Sequence, residues 1–543
     1  MTVTRSGHPA FETAGGSAVA MTDTRNIIDA RACSDEALQA IGSDVLIVGS
    51  GAAACAMATR LLAEGLKVTL LETGDNLVNS DSSPFFEIAN QEPFGLSFQI
   101  GGATNLWSGR VAPLEDVDLT SGNDWPLERA ELDGYYQQAI ELLQLKPIGA
   151  IDQVPAYDGG SAPWRDFVSD PAVSVKRFQW SRPAFNGQDY LKALAGKNPD
   201  LTIVYNCRVL QVIPTAAGDR VGAVRAAIGE GRTVELSAPE FVLCAGGLEN
   251  PRIMLNSRQG GFLVNDNIGR FFSTHPKANV GRIHLFKTVK TAGPLFSDHK
   301  SGSSSLRFGV GVRKGQKREQ LNHYVQFSPR FESIGLKLLE HAQHVVAAGE
   351  GGDRPQSTLR RRLTSALAVV GQVAFNVIGK MGLLGPGGSI LVVRGFFDQH
   401  PNAEHRVELS EARDPHGLPK GVVRWSLTED DQASIREFLD ELSGLLLRHN
   451  IGKLISTLPP AGKPWDITGI HSHFMGTTRM GRSADMSVID RDGRVHGVDN
   501  LYAAGASVFT SYGYANPVLT VMALAMLTAD KICQRHKTKA GNP

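Results

Sequence analysis

The chain has 543 residues, more than a single hydrophobic core usually supports, so two domains or one domain with a large insert are expected. Lys and Arg together number 55, as do Asp and Glu, and this balance argues against the basic surface of a nucleic-acid-binding protein. The five cysteines are scattered, without a C-x-x-C pair, which argues against a disulfide framework or a zinc site and favours a reducing compartment.

The N-terminal segment, residues 1–40, is polar and rich in Gly, Ala and Ser. It contains neither a basic stretch followed by an apolar core nor a twin-arginine start. This composition predicts a loose tail without an export signal, and therefore a cytoplasmic protein.

A strand–helix–strand unit is the first strong pattern along the chain, in "SDVLIVGSGAAACAMATRLLAEGLKVTLLETG", residues 43–74. The apolar run Val45–Val48 leads into a glycine turn, and a helix-period stretch follows to about Glu64. A second apolar run, Lys67–Leu71, ends at Glu72. This order predicts a βαβ unit.

The glycine turn of this unit has the residues of a dinucleotide site. Gly49 permits a tight turn, and Gly51 lets the backbone approach a pyrophosphate at the start of the helix. Ala54 stands at the position of a third glycine. Glu72, about twenty residues on, is placed to accept a hydrogen bond from a ribose hydroxyl. These residues predict dinucleotide binding and leave FAD and NAD as alternatives.

Later patterns extend this domain and indicate a second one. Residues 201–213 and 240–257 read as further strands, and the second runs into Gly246 and Gly247 ahead of a helix. The nucleotide domain is therefore expected to be discontinuous in sequence. Between about 280 and 465, alternating segments such as "RVELSEA" and "GVVRWSL" predict an antiparallel substrate domain.

One segment within that region, residues 360–388, begins with three arginines and is then mainly apolar, with a narrow polar stripe of Gln372, Asn376 and Lys380. A buried or lid helix is the first interpretation. An interfacial helix over residues 360–384, in contact with a membrane or a partner, is the alternative. The Gly and polar interruptions disfavour a spanning helix.

Several blocks in order along the chain resemble the glucose–methanol–choline (GMC) flavoprotein oxidoreductases. They follow the βαβ unit and are "GGATNLWSGRVAPLEDVD" (101–118), "CAGGLENPRIML" (244–255), "NIGRFFSTHP" (267–276), "HFMGTTRMG" (473–481) and "VDNLYAAGASVFTSYGYANPVLTVMALAMLTADKI" (498–532). The resemblance implies FAD as the cofactor.

The predicted fold is α/β, with a Rossmann-type FAD-binding domain and an α+β substrate domain built on an antiparallel sheet. The expected boundaries are a tail at 1–40, the FAD-binding domain at 41–160, 200–275 and 466–543, and the substrate domain at 161–199 and 276–465.

The resemblance also implies which residues contact FAD. The implied contacts are Gly49, Gly51, Ala54 and Glu72 to the ADP half, Val209 to the adenine, Gly101, Gly102 and Asn105 to the flavin, and Gly505, Ala506 and Pro517 around them. Some members attach FAD covalently through a histidine in the 101–109 block. Leu106 stands at that position here, so non-covalent FAD is expected. Many members also carry an acid where this chain has Gly505–Ser507.

The resemblance distinguishes the two neighbouring histidines of "HSHFMGTT". Alternate positions on a strand face opposite ways, so His471 and His473 cannot both enter one site. The family's base lies three residues before Gly-Thr, which selects His473, and its partner aligns with Asn516. His275 in "FFSTHP" matches a family histidine interpreted as structural. No metal ligand set is expected.

The activity implied is oxidation of an alcohol to a carbonyl, with His473 taking the hydroxyl proton and flavin N5 receiving the hydride. The amino-acid sequences of several blocks are most similar to those of sugar oxidases and dehydrogenases. A sugar, glycoside or cyclic polyol is therefore the expected substrate. Trp107, Trp465, Tyr512 and Tyr514 are candidates for stacking against a sugar ring. The acceptor is either oxygen or a redox partner. The alternatives are a redox-neutral lyase and a membrane- or partner-coupled dehydrogenase subunit.

Overall fold

The computed structural model describes residues 26–75, 84–87, 96–120, 124–145, 162–290, 293–301, 304–313, 321–330, 387–460, 462–463, 465 and 473–540. One side of the molecule contains a six-stranded sheet in which every pairing is parallel. Its strands, in spatial order, are β1 (Ile27–Asp29), β6 (Leu201–Tyr205), β3 (Val68–Leu71), β2 (Val45–Val48), β10 (Glu240–Leu243) and β19 (Leu501–Ala503).

The central strands of this sheet are buried along their whole length, because helices and loops cover both faces. That burial explains the continuous apolar runs that the sequence shows there. The helices on this side are α1 (Asp35–Gln39), α2 (Ala52–Ala63), α3 (Asp116–Thr120), α4 (Arg129–Leu142), α6 (Gly187–Lys197), α7 (Gly246–Asn256) and α9 (Val518–Ala540).

The C-terminal helix α9 packs on both α2 and α4. Asp530 on α9 accepts a hydrogen bond from Arg60 at 2.5 Å and one from the Tyr135 hydroxyl at 2.9 Å, so a single carboxylate joins the three helices. The helix has 23 residues. Its last turns carry polar residues that face solvent, and no Pro or Gly ends the helix before Ala540.

The other side of the molecule is built on a seven-stranded sheet in which every pairing is antiparallel. Its strands are β5 (Val173–Ser181), β11 (Lys277–Lys290), β12 (His299–Ser301), β13 (Ser304–Val312), β14 (Tyr324–Arg330), β15 (Gly387–Phe396) and β18 (Gly452–Ser456). Two further helices, α5 (Ala162–Ser169) and α8 (Glu429–Arg448), bury their apolar faces in the core of this side. Thr428 and Asp431 form a capping box at the start of α8.

Two small sheets lie beside these two. One is antiparallel and contains β7 (Arg208–Pro214), β8 (Val221–Ile228) and β9 (Arg232–Leu236). The other contains β4 (Phe86–Glu87), β16 (Arg406–Arg413) and β17 (Pro419–Arg424). The segments "RVELSEA" and "GVVRWSL", predicted to be strands of an antiparallel substrate domain, pair with each other in an antiparallel hairpin, which packs on α7 and lies outside the seven-stranded sheet.

The structure confirms the predicted α/β class with a parallel sheet and a separate antiparallel sheet. Two parts of the predicted division need correction. Ile27–Asp29, assigned to the tail, adds an edge strand to the parallel sheet because its backbone pairs with β6. Helix α6, assigned to the substrate domain, packs on α2 and β6 of the nucleotide side.

Two further predictions fall beyond the residues that the structure describes: His471 and the apolar segment 360–384. Within the described ranges, no helix has both the length and the apolar character needed to cross a membrane.

Candidate active site

A cavity of about 570 Å³ opens at the carboxyl ends of four parallel strands, β2, β3, β10 and β19. This is the edge at which open parallel sheets bind ligands, because the helix N-termini that follow the strands meet there. Residues 48–53, 71–73, 244–247 and 505–506 line it from the parallel sheet, and Lys277, at the start of β11, lines it from the antiparallel sheet. The cavity therefore lies between the two large sheets.

The loop after β2 takes the conformation that its glycines predict. Gly49 has a φ of +94°, and a Cβ added there would lie 2.7 Å from the carbonyl oxygen of Cys244. Gly51 precedes α2, and nothing lies within 4 Å of a Cβ added there, so its backbone faces the open cavity. Ala54 is buried within α2 and does not line the cavity, so it serves helix packing.

Glu72 is buried at the end of β3, where its carboxylate accepts a hydrogen bond from the Ser50 hydroxyl at 2.5 Å and from the backbone N–H of Gly74 at 3.1 Å. Burial raises the pKa of Glu72 to about 7, against the lowering effect of these hydrogen bonds. The Ser50 oxygen also accepts from the Gly101 N–H at 3.0 Å. This chain of contacts ties the loop at 101–109 to the βαβ unit.

Asn105 is placed differently from the sequence-based expectation, which gave it a contact with the flavin ring. Its amide donates to the Ile100 carbonyl at 2.8 Å and accepts from the Gln188 N–H at 3.1 Å, which joins the loop to α6. Neither Asn105 nor Gly101 lines the cavity, whereas Gly102 does. Leu106 also lines it and is 53% exposed.

Gly505 and Ala506 line the cavity after β19, and their backbone is held by neighbouring segments. The Ala506 carbonyl accepts from the Gly476 N–H at 3.1 Å, and the Ala504 carbonyl accepts from the Asn250 amide at 3.2 Å. Val209, on β7, lines the cavity as well. Gly505, Ala506 and Val209, all predicted to contact FAD, thus share one cavity with the glycine loop and Glu72.

His473 lines the same cavity, and the chain places it directly opposite His275. Ser273 and Met475 exchange two backbone hydrogen bonds, of 3.1 and 3.0 Å, in an antiparallel bridge. In this antiparallel register, the residue two positions after Ser273 lies opposite the residue two positions before Met475, which brings His275 and His473 together. Their Nδ1 atoms are 2.8 Å apart.

The hydrogen bonds around this pair select its tautomers. His275 Nε2 lies 3.4 Å from the Tyr512 carbonyl, which can only accept, so this nitrogen carries a proton. Neutral His275 then accepts at Nδ1, and His473 donates from its own Nδ1. Nε2 of His473 is consequently unprotonated, and it has no hydrogen-bond partner among the described residues.

Both histidines are held in the neutral form. Burial, with a smaller effect of the Lys277 charge, lowers the pKa of His275 to about 4. Burial also lowers the pKa of His473 well below its usual value, and His275 and Lys277 lower it further. His473 is therefore available as a proton acceptor at neutral pH.

Asn516 and Pro517 line the cavity just before α9. The helix begins at Val518, and the Pro517 carbonyl accepts its first hydrogen bond, from the Val521 N–H at 2.8 Å. Asn516 precedes the helix cap, and its amide has no partner within the described residues. The positive end of the α9 dipole is directed at the cavity.

Two features of the site were missed by sequence reasoning. His275 was interpreted as structural, with no contact to His473 foreseen, and Lys277 was not singled out. A signal was available in "THPK", since residues two apart on an extended segment share a face. The motif alone could not show which face meets His473, because residue 473 lies 198 positions away.

Of the four aromatic candidates for stacking, Trp107 lines the cavity, with its Nε1 donating to the Phe185 carbonyl at 2.8 Å. The other three do not line it. Tyr512 donates to the Phe271 carbonyl, Tyr514 packs on Phe178, and Trp465 lies under Arg436.

Three family models match the chain. An FAD binding domain model matches residues 44–84, and two models of the GMC oxidoreductases match residues 186–277 and 401–525. The matched ranges contain Glu72, Val209, His275, His473 and Asn516.

Individual proteins are similar over long ranges. A 2-methyl-1,2-propanediol dehydrogenase from Mycolicibacterium austroafricanum is 24% identical, over 91% of this chain and 95% of its own. A C-glycoside 3-oxidase from Arthrobacter globiformis is 33% identical, over 27% of this chain and 28% of its own.

Among solved structures, pyridoxine 4-oxidase from Mesorbium loti covers 90% of this chain and 99% of its own, with a TM-score of 0.57 and 18% identity, a likeness of fold. The match to both GMC models in order, behind an FAD-binding segment, agrees with the cavity described above. The chain thus contains the two domains of the glucose–methanol–choline (GMC) oxidoreductases, at residues 186–277 and 401–525, behind an FAD-binding segment at residues 44–84.

Proposed function

We propose that this enzyme oxidises a hydroxyl group of a sugar, glycoside or cyclic polyol to a carbonyl, with His473 as the base. The supporting observation is the tautomer of His473, which leaves Nε2 unprotonated on a side chain that lines the same cavity as the dinucleotide loop. A base in this state can accept a hydroxyl proton at neutral pH.

We propose that the cavity holds FAD without a covalent bond. The Glu72 carboxylate would accept from ribose hydroxyls, and the open backbone at Gly51 would face the pyrophosphate at the start of α2. Gly505 and the N-terminus of α9 would stand at the flavin end. Leu106, in place of the attachment histidine, has no nucleophile. When bound, FAD accepts the hydride that the alcohol carbon releases.

Asn516, the other residue predicted to be catalytic, supports the same step. Its free amide can donate a hydrogen bond to the substrate oxygen as that oxygen gains negative charge. Because an amide does not accept a proton at neutral pH, it leaves proton transfer to His473. The two groups therefore divide proton removal and charge stabilisation between them.

The substrate class has support from the relatives. One is named for a diol and one for a C-glycoside, and both compounds carry more than one hydroxyl group. One relative is an oxidase and the other a dehydrogenase, so both oxygen and a redox partner are candidate acceptors. The apolar segment 360–384 is the candidate docking element for a partner or a membrane.

An anaerobic titration tests the proposal. The purified holoenzyme is mixed with sugars, glycosides, polyols and simple alcohols while the oxidised-flavin absorption near ~450 nm is followed. Bleaching by a polyhydroxylated compound is the expected result, and the later admission of air separates an oxidase from a dehydrogenase. Bound flavin that no compound bleaches would contradict alcohol oxidation and favour a redox-neutral reaction.

A further inference from the structure

Lys277 is the only lysine or arginine among the described residues that line the cavity. It is the first residue of β11 and lies two positions after His275. Its positive charge contributes to the lowered pKa of both His275 and His473, so its ammonium group acts on the catalytic end of the cavity.

No counter-charge is available to this lysine in the described part of the chain, where Lys277 makes no hydrogen bond or ion pair. The two carboxylates that line the cavity are engaged elsewhere. Glu72 is held by Ser50 at 2.5 Å, and Glu249 is paired with Arg208 at 2.7 Å. Burial of the ammonium lowers the pKa of Lys277, which is the response of a cation without compensation.

A second cation reinforces the charge. In the β11–β15 pairing Lys277 is opposite Phe396 and Asn279 is opposite Arg394, so Arg394 is a diagonal neighbour of Lys277 on the same face of the sheet. Arg394 further lowers the pKa of Lys277. Arg394 is exposed and has no ion pair in the described residues. Arg394 does not line the cavity, but its charge adds to the positive charge around Lys277.

We propose that Lys277 is an anion subsite, and that the substrate carries a carboxylate or a phosphate that binds the Lys277 ammonium while a hydroxyl faces His473. This inference rests on the proposed function and narrows its substrate class from neutral polyols to hydroxylated acids or esters of phosphate. A substrate anion supplies the counter-charge that the protein lacks, and a charge-assisted hydrogen bond fixes its orientation. Neutral analogues would lack that anchor.

Equilibrium binding tests the subsite independently of turnover. The oxidised holoenzyme is titrated with matched pairs, and perturbation of the flavin spectrum gives each Kd. The pairs are D-gluconate and D-glucitol, methyl D-glucuronide and methyl D-glucoside, and glucose 1-phosphate and glucose. For at least one pair the anion is expected to bind about 10- to 100-fold tighter, the size of a charge-assisted hydrogen bond. The preferred pair identifies carboxylate or phosphate.

Substitution assigns the preference to its residue. The preference is measured as the Kd of the neutral member of a pair divided by the Kd of its anionic member. Lys277→Met should reduce this ratio to near one, and Arg394→Met should reduce it less. Lys277→Arg should retain it. Lys453→Met removes an exposed lysine from β18, next to β11 in the same sheet, and should leave the ratio unchanged. The flavin absorbance of each variant reports that the fold and cofactor are retained.

Two results would overturn the subsite. One is equal affinity for both members of every pair in the unsubstituted enzyme. The other is the same ratio in Lys277→Met as in Lys453→Met. Either result leaves alcohol oxidation intact if a neutral polyol still bleaches the flavin, and the failure of the two proposals is thereby distinguished.

Discussion

The Nδ1 atoms of His275 and His473 are 2.8 Å apart, and only one proton can lie between them. The Tyr512 carbonyl requires the other nitrogen of His275 to be protonated, so the shared proton belongs to His473. A backbone carbonyl thus determines, through one intervening ring, which nitrogen of His473 is free to act as the base. His275 is a positioning residue in this arrangement, since it touches His473 and does not line the cavity.

Replacement of the base should affect chemistry and spare the cofactor. For His473→Ala we expect retained FAD and flavin reduction slowed by roughly 10²–10⁴-fold, because a general base contributes about that much. Stopped-flow absorbance under anaerobic conditions measures the rate. His471→Ala is the control, and a larger loss in that variant than in His473→Ala would reverse the assignment.

The pH dependence of reduction should report the dyad. The pKa of His473 is lowered, so the neutral base persists below pH 6.5, and the rate should fall only at more acidic pH. In His275→Ala one cause of the lowering is lost, so the acid limb should shift upward as the rate decreases. A purely structural His275 would change protein stability without moving the limb, and His275→Asn tests whether an acceptor restores the rate.

Loss of the Asn516 amide should weaken stabilisation of the developing oxyanion. Asn516→Ala is expected to slow flavin reduction by an amount equivalent to ~2.7–4 kcal/mol, the cost of removing an oxyanion donor. Asn516→Asp, which keeps the size and loses the donor, should be at least as slow. An unchanged reduction rate in both variants would remove Asn516 from the catalytic site.

Glu72 should matter for the cofactor and not for the base. At pH 8, where a Glu72 carboxyl with a pKa of about 7 is mostly ionised, Glu72→Gln is expected to weaken FAD retention about 10- to 100-fold, since hydrogen bonds to a charged acceptor contribute roughly 1.5–3 kcal/mol. Equilibrium dialysis of the apoprotein with FAD measures this. Flavin reduction in the fully loaded variant should match that of the original enzyme, and a slow rate there would indicate a different role.

The turn at Gly49 offers a test of the cavity's backbone geometry. Gly49→Ala combines a positive φ with a Cβ 2.7 Å from the Cys244 carbonyl oxygen, so we expect a lower Tm and poor FAD retention. Gly65→Ala is the matched control, because Gly65 has a φ of +81° and open space around it. Its Tm should fall by less, with FAD retained. Equal losses would mean that backbone conformation alone decides the effect.

Much of the nucleotide side could be predicted because its signals are local. Strand β2 and helix α2 lie where the apolar run, the glycine turn and the helix period indicate, within a residue or two. Burial on both faces leaves a continuous apolar pattern, and the turn after β2 needs glycine for steric reasons. Such constraints act between residues that are close in sequence.

Long-range pairing decided the rest. The edge strand Ile27–Asp29 depends on β6, more than 170 residues away, and the hairpin β16–β17 leaves the large antiparallel sheet to pack on α7. A strand pattern shows that a segment is extended, and it does not show which neighbour supplies its hydrogen bonds.

The candidate site shows the same division between what local sequence signals predict and what long-range contacts decide. The sequence by itself determined the glycine loop and Glu72, and through the family resemblance it indicated His473 and Asn516. Only the tertiary structure turned Asn105 toward α6, set His275 against His473 and left Lys277 without a counter-charge in the described cavity. Hydrogen-bond partners and desolvation arise from residues that meet in space, and a linear pattern contains neither.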